Sequence, residues 1–138
     1  MVKNRRELAE LALKKAEQYL DSANDNMKKK RFFVASEDIF RAVETSLESL
    51  LYFFDVKKIE YPSKKEKFKG RLALQFLVRD VLVKPGRIGK DVFDKYLELA
   101  SNLHYGSYSF KVVDENSLEG YFEFAENLIA KVKSIIKS

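Results

Sequence analysis

Apolar side chains recur at intervals of three and four residues along most of the chain, and this spacing limits the fold more than any other feature. Such intervals place side chains on one face of an α-helix, whereas a strand alternates by two. The first stripe follows Asn4 and Glu7, a pair that matches a helix start with a capping box. Its members are Leu8, Ala12, Ala16, Tyr19, Ala23 and Met27, which predicts a helix of about seven turns.

The next stripes predict a second and a third helix. The second helix is predicted from about Phe33 to Phe54. Lys57 to Lys64 is predicted as a connector, because it contains Tyr61-Pro62 and a residue before proline is pushed out of helical geometry. Ser63 is predicted to cap the third helix, with Glu66 completing the capping box. Lys84-Pro85-Gly86 is expected to end that helix.

Two further helices are predicted near the end of the chain. Gly89 is the last helix breaker before the fourth helix, which is predicted to end near His104. A polar loop from Gly106 to about Asn116 separates it from the fifth helix. The fifth stripe runs from Tyr121 to Ile135, with spacings of four and three residues.

Five helices with mostly short connections favour an all-α, antiparallel up-and-down bundle, and 138 residues fit one domain over residues 1–138. Only two Pro and five Gly interrupt the chain. If the helices alternate strictly, the connector after the second helix and the loop after the fourth lie at the same end. The segment Lys57 to Arg71 is then expected to share an end with His104.

This segment is strongly basic, in a chain whose net charge is +5. We call it the basic segment; it contains two acids, Glu60 and Glu66. Its cations are Lys57, Lys58, Lys64, Lys65, Lys67, Lys69 and Arg71. A basic patch indicates an anionic partner when it lies beside a functional site, and is otherwise a solvated surface.

The composition also limits the cellular compartment in which the protein is expected. No apolar stretch approaches the roughly 20 residues that a membrane span needs. The chain begins with polar and charged residues, which lack the apolar stretch of a secretory signal. There is no Cys, which fits a reducing compartment. We therefore expect a cytoplasmic protein that has no membrane partner.

His104 is the only histidine, and it narrows the available chemistry. One His without Cys makes a zinc site improbable, and no Glu-x-x-His pair, phosphate loop or dinucleotide fingerprint is present. We therefore predict no metal and no cofactor. RNA cleavage remains open, because it needs a proton acceptor for the 2′-hydroxyl and a cation for the phosphate. His104 can be the first of these groups.

Several segments resemble HEPN domains, in particular the small stand-alone HEPN proteins of prokaryotes. Phe32 to Ser36, Ile39 to Glu44 and Leu47 to Leu51 are similar to the second helix of that family. The sequence Leu103-His104-Tyr105-Gly106, followed by a polar loop and a closing helix with Phe122, Phe124, Ala125, Glu126 and Leu128, is similar to its last part. The resemblance implies a helical bundle that forms a homodimer.

The same resemblance implies a function. Many HEPN domains are metal-independent ribonucleases of toxin–antitoxin or defence systems, often paired with a small nucleotidyltransferase as antitoxin. Their site is an arginine followed after four to six residues by a histidine, assembled across the dimer. His104 corresponds to the histidine and Asn102 to the intervening polar residue. Tyr105 stands beside the histidine, whereas some toxins carry a tyrosine two residues after it, where this chain has Gly106.

The motif arginine is missing, because Leu97, Glu98 and Leu99 occupy the positions where it is expected. A glutamate there would repel the scissile phosphate. Arg41, Arg71 or Arg79 can replace the arginine only if the fold brings one of them beside His104. Arg71 ranks above Arg79, since it belongs to the basic segment.

The sequence therefore leaves two roles open for each candidate residue. His104 is either a catalytic group or a cation that closes a helix at its C-terminus. Asn102 and Tyr105 are either substrate-binding or capping and packing residues, and Arg71 and Arg41 are candidate phosphate ligands.

Three functions follow. The preferred one is a dimeric HEPN-like module that binds a nucleotide, RNA or protein partner without the complete nuclease motif. The second is a metal-independent ribonuclease toxin paired with a nucleotidyltransferase. The third is a structural helical partner that has no ligand at this loop.

Overall fold

The computed structural model describes residues 4–62, 67–105 and 114–137, except for the side chains of residues 67, 68 and 103–105. It confirms an all-α bundle of five helices. Their bounds are α1 Arg5–Lys28, α2 Phe32–Phe53, α3 Gly70–Leu77, α4 Lys90–Leu99 and α5 Glu115–Ile136. Two π-helical segments, Val78–Val83 and Ala100–Tyr105, continue α3 and α4. A short antiparallel ribbon pairs β1 (Glu60–Pro62) with β2 (Lys67–Lys69).

The predicted start of α1 is confirmed. The side-chain oxygen of Asn4 accepts a hydrogen bond from the Glu7 backbone N–H at 2.9 Å, and its amide donates to the Glu7 carboxylate at 3.1 Å. The first bond satisfies a backbone N–H that a helix N-terminus leaves without an intrahelical partner, and the second joins the two side chains. A different cap starts α5, where Asp114 accepts from the Ser117 backbone N–H at 2.8 Å.

Small side chains line the contact between α1 and α2. The hydroxyl of Ser49 in α2 donates to the Ala9 carbonyl of α1 at 2.6 Å, and both residues are fully buried. Small residues let two helices approach closely, because little lies between their backbones. The other fully buried small residues of the pair are Ala16, Ala23, Ala35, Ser36, Ala42 and Ser46.

Larger apolar side chains from α2, α3, α4 and α5 fill one core beside the contact of α1 with α2. Within the described residues, the largest fully buried side chains are Tyr96, Phe40, Ile39, Leu47, Leu50, Leu51, Leu74, Leu82, Leu99, Leu118 and Ile136. They come from α2, α3 with its π-helical continuation, α4 and α5. None of the helices in the described part of the chain combines the length and hydropathy that crossing a membrane requires.

Arginine contacts define one end of the bundle. An Nη1 donor of Arg5 bonds the Phe53 carbonyl at 2.6 Å, and one of Arg6 bonds the Ile136 carbonyl at 2.7 Å. The start of α1 and the ends of α2 and α5 therefore meet. We call this the lower end, and the opposite end, where α1 ends at Lys28 and α2 begins, the upper end.

The predicted start of the third helix is wrong. Lys67–Lys69 forms a strand, and α3 begins only at Gly70, whose φ of +71° lies in the left-handed region that favours glycine. Ser63 and Glu66, the predicted capping pair, lie outside the described residues. The connector was predicted as irregular, but its Glu60–Pro62 pairs with β2.

The ribbon reverses the expected direction of α3. Near the start of α3, Arg71 contacts Glu44 and Phe40 in the middle of α2. After the π-helical continuation, the guanidinium of Arg87 lies 4.1 Å from the ring centroid of Phe54, at the lower end. From Arg71 to Arg87 the chain therefore runs in the same direction as α2. Lys57 and Lys58 of the basic segment follow α2 at the lower end, whereas Asn102, two residues before His104, bonds Tyr121 near the start of α5, at the upper end. The expectation that the basic segment shares an end with His104 is therefore wrong, because strict alternation fails here.

Polar contacts hold the ribbon against α3. The Tyr61 hydroxyl donates to Asp80 at 2.5 Å, and the Tyr61 ring lies 5.0 Å from that of Phe76. Arg79 donates to Asp80 at 2.8 Å, and Lys84 pairs with it at 3.1 Å. These bonds, that of Arg79 first, hold the pKa of the Asp80 carboxyl well below its usual range.

Helices α1 and α2 end in Schellman motifs without glycine. After α1, the N–H of Lys30 bonds Met27 at 3.0 Å and that of Arg31 bonds Asn26 at 2.8 Å. Asp55 occupies the equivalent position of the Schellman motif after α2. Both residues have a left-handed backbone, with φ values of +59° for Lys30 and +76° for Asp55. Gly86 ends the π-helical continuation of α3 in the same way, as its Lys84-Pro85-Gly86 signal predicts.

Replacing Lys30 by glycine is expected to stabilise the protein. A side chain in the left-handed region costs about 1 kcal/mol, which glycine avoids at some entropic cost in the unfolded chain. Lys30→Gly, and separately Asp55→Gly, should raise the free energy of unfolding in urea by about 0.5 kcal/mol. The control Lys28→Gly, inside the last turn of α1, should lower it by about 0.5–1 kcal/mol. Equal losses in all three variants would contradict this explanation.

Candidate functional site

Asn102 is bound to α5 rather than to another predicted site residue. Its side-chain amide donates to the Tyr121 hydroxyl at 3.1 Å, and the side chain of Asn102 is exposed. The π-helical segment Ala100–Tyr105 contains His104, in agreement with the prediction that the fourth helix ends near this residue. The side chains of His104 and Tyr105, and the whole of Gly106, lie outside the described residues.

The three positions of the missing arginine have different surroundings. Leu99 is fully buried, whereas Leu97 and Glu98 are exposed. Glu98 accepts from the Lys95 ammonium at 3.0 Å, and the same ammonium lies 5.3 Å from the Tyr121 ring centroid. In the described part of the chain, Lys95 is the only cation that contacts the helical turn from Leu97 to Leu99. The Glu98 carboxylate balances its charge.

Arg71 forms an ion pair with Glu44. Its Nε lies 3.0 and 3.2 Å from the two carboxylate oxygens, and its Cζ lies 5.2 Å from the Phe40 ring centroid. Glu44 is only 8% exposed, so this buried carboxylate needs a cation to compensate for lost hydration. The Arg71 guanidinium therefore has a structural role, which is to balance the charge of the buried Glu44 carboxylate.

Arg41 and Arg79 lie in separate environments. Arg41 is exposed on α2, and its Cζ lies 6.0 Å from the Tyr19 ring centroid of α1. A hydrogen bond to the Tyr19 side chain raises the pKa of the Arg41 guanidinium above its ordinary value. Arg79 belongs to the Tyr61–Asp80 contacts of the ribbon. Within the described residues, no hydrogen bond or ion pair joins two of the predicted site residues.

Glu44 and Glu48 lie one turn apart on the same face of α2, and the sequence reasoning missed this acidic pair. Burial raises the pKa of the Glu48 carboxyl, the charge of Glu44 adds to this, and Lys15 of α1 opposes it. One turn further on, burial and then Glu48 raise the pKa of the Tyr52 hydroxyl. The spacing of four residues indicates that the two glutamates share one face of a helix. The sequence does not show that this face is buried beside α1.

Cations and aromatic rings gather at the lower end. The rings of Phe53 and Phe54 meet edge to face, with centroids 5.2 Å apart at 82°. Arg5 and Arg6 lie 5.3 and 5.7 Å from the Phe53 centroid, and Arg87 lies 4.1 Å from that of Phe54. We call these five residues the lower-end cluster. Such guanidinium–ring contacts hold a cation in place while its edge still faces water.

The surroundings of the cluster are also basic. Lys57 and Lys58 are exposed just after α2, and Lys137 is exposed just after α5. In residues 4–62, 67–105 and 114–137, no carboxylate pairs with an arginine of the cluster. The sequence reasoning noted the charges of Lys57, Lys58 and Arg87 but did not predict a site at the cluster. The signals for the other four residues were the pairs Arg5-Arg6 and Phe53-Phe54 at helix ends.

Comparisons with protein-family models, with curated protein sequences and with solved structures give no match for this chain. The contacts above are therefore the basis for any functional conclusion, beside the resemblance described from the sequence.

The stability of the protein is predicted to respond oppositely to loss of charge at buried Glu44 and at half-buried Glu48. Glu44→Gln should lower the free energy of unfolding by about 1–2 kcal/mol, because Arg71 loses its compensating charge. Burial makes the folded state hold the Glu48 proton more tightly than the unfolded chain does, so ionised Glu48 destabilises the fold above its ordinary pKa. Glu48→Gln should therefore stabilise the protein at pH 7.

Urea unfolding of both variants over a range of pH provides the measurement. The gain from Glu48→Gln should shrink as pH falls toward 4.5, the ordinary glutamate pKa, where the wild-type carboxyl becomes neutral too. A gain that stays constant down to that pH would mean that charge burial at Glu48 is not its cause.

Proposed function

We propose that this protein is a HEPN-like module that binds RNA through its lower end and lacks the complete nuclease motif. The observation that carries the proposal is the lower-end cluster, where three arginines lie on two phenylalanine rings. Exposed Lys57 and Lys58 follow Phe54 after two intervening residues, Asp55 and Val56. Cationic grooves with aromatic groups are typical of proteins that bind single-stranded nucleic acid.

The hydrogen bonds of the cluster support this function. Arg5 and Arg6 each donate one Nη1 hydrogen bond to a helix-terminal carbonyl, which fixes the guanidinium. A guanidinium has five N–H donors, so others remain for phosphate oxygens. The arginines also offset the partial negative charge of two helix C-termini, which limits the net field that they add. Lys57 and Lys58 supply further cations after α2, and Lys137, whose backbone N–H bonds the Lys133 carbonyl at the end of α5, supplies a third.

The surroundings of the histidine favour binding over cleavage. No arginine occupies the motif positions, Glu98 is balanced by Lys95, and Arg71 is held by Glu44. The competing proposal is a ribonuclease toxin of a nucleotidyltransferase pair, with an arginine supplied from elsewhere. It would require a cation beside His104 that the motif positions 97–99 do not supply.

A homodimer is part of the proposal. The resemblance to HEPN domains implies that α4, which leads to His104, faces a second copy. Leu97 on α4 is 36% exposed and Leu72 on α3 is 46% exposed, so both helices carry apolar surface toward solvent. Burial of such side chains is a common source of dimer stability.

RNA binding is predicted to depend on Lys57 and Lys58. The affinity of a fluorescein-labelled oligouridine of about twenty nucleotides is measured by anisotropy over a range of salt. Each phosphate contact on a single strand contributes about −0.7 to the slope of log affinity against log salt. Lys57→Gln/Lys58→Gln should therefore make the slope shallower by about 1.4.

The matched control is Lys14→Gln/Lys29→Gln, which removes the same charge elsewhere on the surface. An equal loss in both double variants would mean that only net charge matters, and would overturn binding at the lower end. The labelled RNA should remain intact throughout. Cleavage that disappears in His104→Ala would support the ribonuclease proposal instead.

Dimerisation is predicted to depend on Leu97. Sedimentation velocity at micromolar concentration should show a dimer, which Leu97→Asp shifts toward monomer by placing a charge in an apolar interface. Leu11→Asp on α1, where the leucine is 41% exposed, is the control and should leave the dimer intact. A wild-type monomer at that concentration would contradict the dimer and any site shared between two copies.

A further inference from the structure

A negatively charged groove runs between α1 and α5, away from the positively charged lower-end cluster. Its larger cavity has a volume of about 390 Å³, and an adjoining cavity toward the upper end has about 340 Å³. Both are lined by Asn24 and Phe122, so they form one continuous groove. We call it the α1–α5 groove.

Carboxylates outnumber cations along this groove. Its acidic lining residues are Glu17, Asp21, Glu115, Glu119 and Glu126. Its cations are Lys28 and Lys133, and Lys133 already lies 3.6 Å from a carboxylate oxygen of Glu17. The groove is therefore locally negative in a chain of net charge +5. Phosphate-bearing ligands are repelled by such a surface, which separates it from the RNA-binding proposal.

The floor of the groove is apolar. Leu20, Met27 and Phe122 are half-buried, and Ile129 is almost fully buried between the two helices. These side chains pack on the core on one side and face the groove on the other. An apolar floor with charged rims matches the two surfaces of an amphipathic helix.

The length of the groove sets the length of its ligand. On α1 it extends from Glu17 to Lys28, which at 1.5 Å per residue is about 16 Å. This length accommodates about three turns of helix, or eleven residues. Such a segment presents apolar residues at positions i, i+3 or i+4, and i+7 to the floor.

We propose that the α1–α5 groove binds a short amphipathic helix of a partner protein, with apolar residues on one face and Lys or Arg along its flanks. The apolar face packs on Leu20, Phe122 and Ile129. The basic flanks lie against the carboxylates of both rims, which fixes the position of the helix and rejects acidic segments.

A synthetic peptide tests the groove directly. The probe is a fluorescein-labelled Leu/Lys helix of about fourteen residues with leucines at helical spacing, compared with a scrambled peptide of the same composition. Asp21→Lys/Glu126→Lys reverses one charge on each rim. Glu10→Lys/Glu123→Lys is the matched control, because it makes the same change on the same helices at exposed positions outside the groove.

The rim variant is expected to weaken binding of the amphipathic peptide by at least about tenfold, and the control variant by less than about threefold. Phe122→Ala should also weaken it, since the floor loses its aromatic ring. Circular dichroism confirms that each variant is folded. Equal binding of the scrambled peptide, or equal weakening by both double variants, would mean that only general charge attraction operates and would overturn the proposal.

A separate control distinguishes this proposal from RNA binding. Lys57→Gln/Lys58→Gln should leave peptide affinity unchanged, and the rim variant should not weaken oligouridine binding. Competition between peptide and oligouridine for one site would overturn the assignment of the groove.

Discussion

The close contact of α1 with α2 is the interaction on which the rest of the structure depends. Its small residues bring the two backbones together, so that the buried Ser49 hydroxyl donates to the Ala9 carbonyl across the contact. A larger side chain at this contact would separate the helices and leave that hydroxyl buried without its bond. The same contact fixes the relative height of the two helices. It thus places Arg5 beside Phe53 and forms the lower end.

The long helices could be predicted from the sequence because their signals are local. The Asn4–Glu7 cap and the stripes of α1, α2 and α5 depend on residues a few positions apart. The ribbon could not be predicted in this way. Each of its strands has three residues, and the sequence pattern of Ser63 and Glu66 matches a capping box. What holds the ribbon is Tyr61 against Asp80, nineteen residues away.

The same distinction applies to the candidate site. The sequence identified Arg71 by its charge, but its partner Glu44 lies 27 residues away on another helix. Nothing local indicates that a cation of the basic segment is held by a buried carboxylate. The lower-end cluster is still less visible, because Arg5, Phe53 and Arg87 come from three separate parts of the chain. Only the fold brings them together.

Helix α1 connects the two proposed surfaces and also separates them. Its first residues, Arg5 and Arg6, belong to the lower-end cluster, whereas Glu17 and Asp21 line the α1–α5 groove. Arg5 and Glu17 are twelve residues apart, or about 18 Å along the helix. The Debye length at physiological ionic strength is about 8 Å, so the two fields are largely screened from each other. One small bundle can therefore attract a polyanion at one surface and a basic helix at another, without either charge cancelling the other.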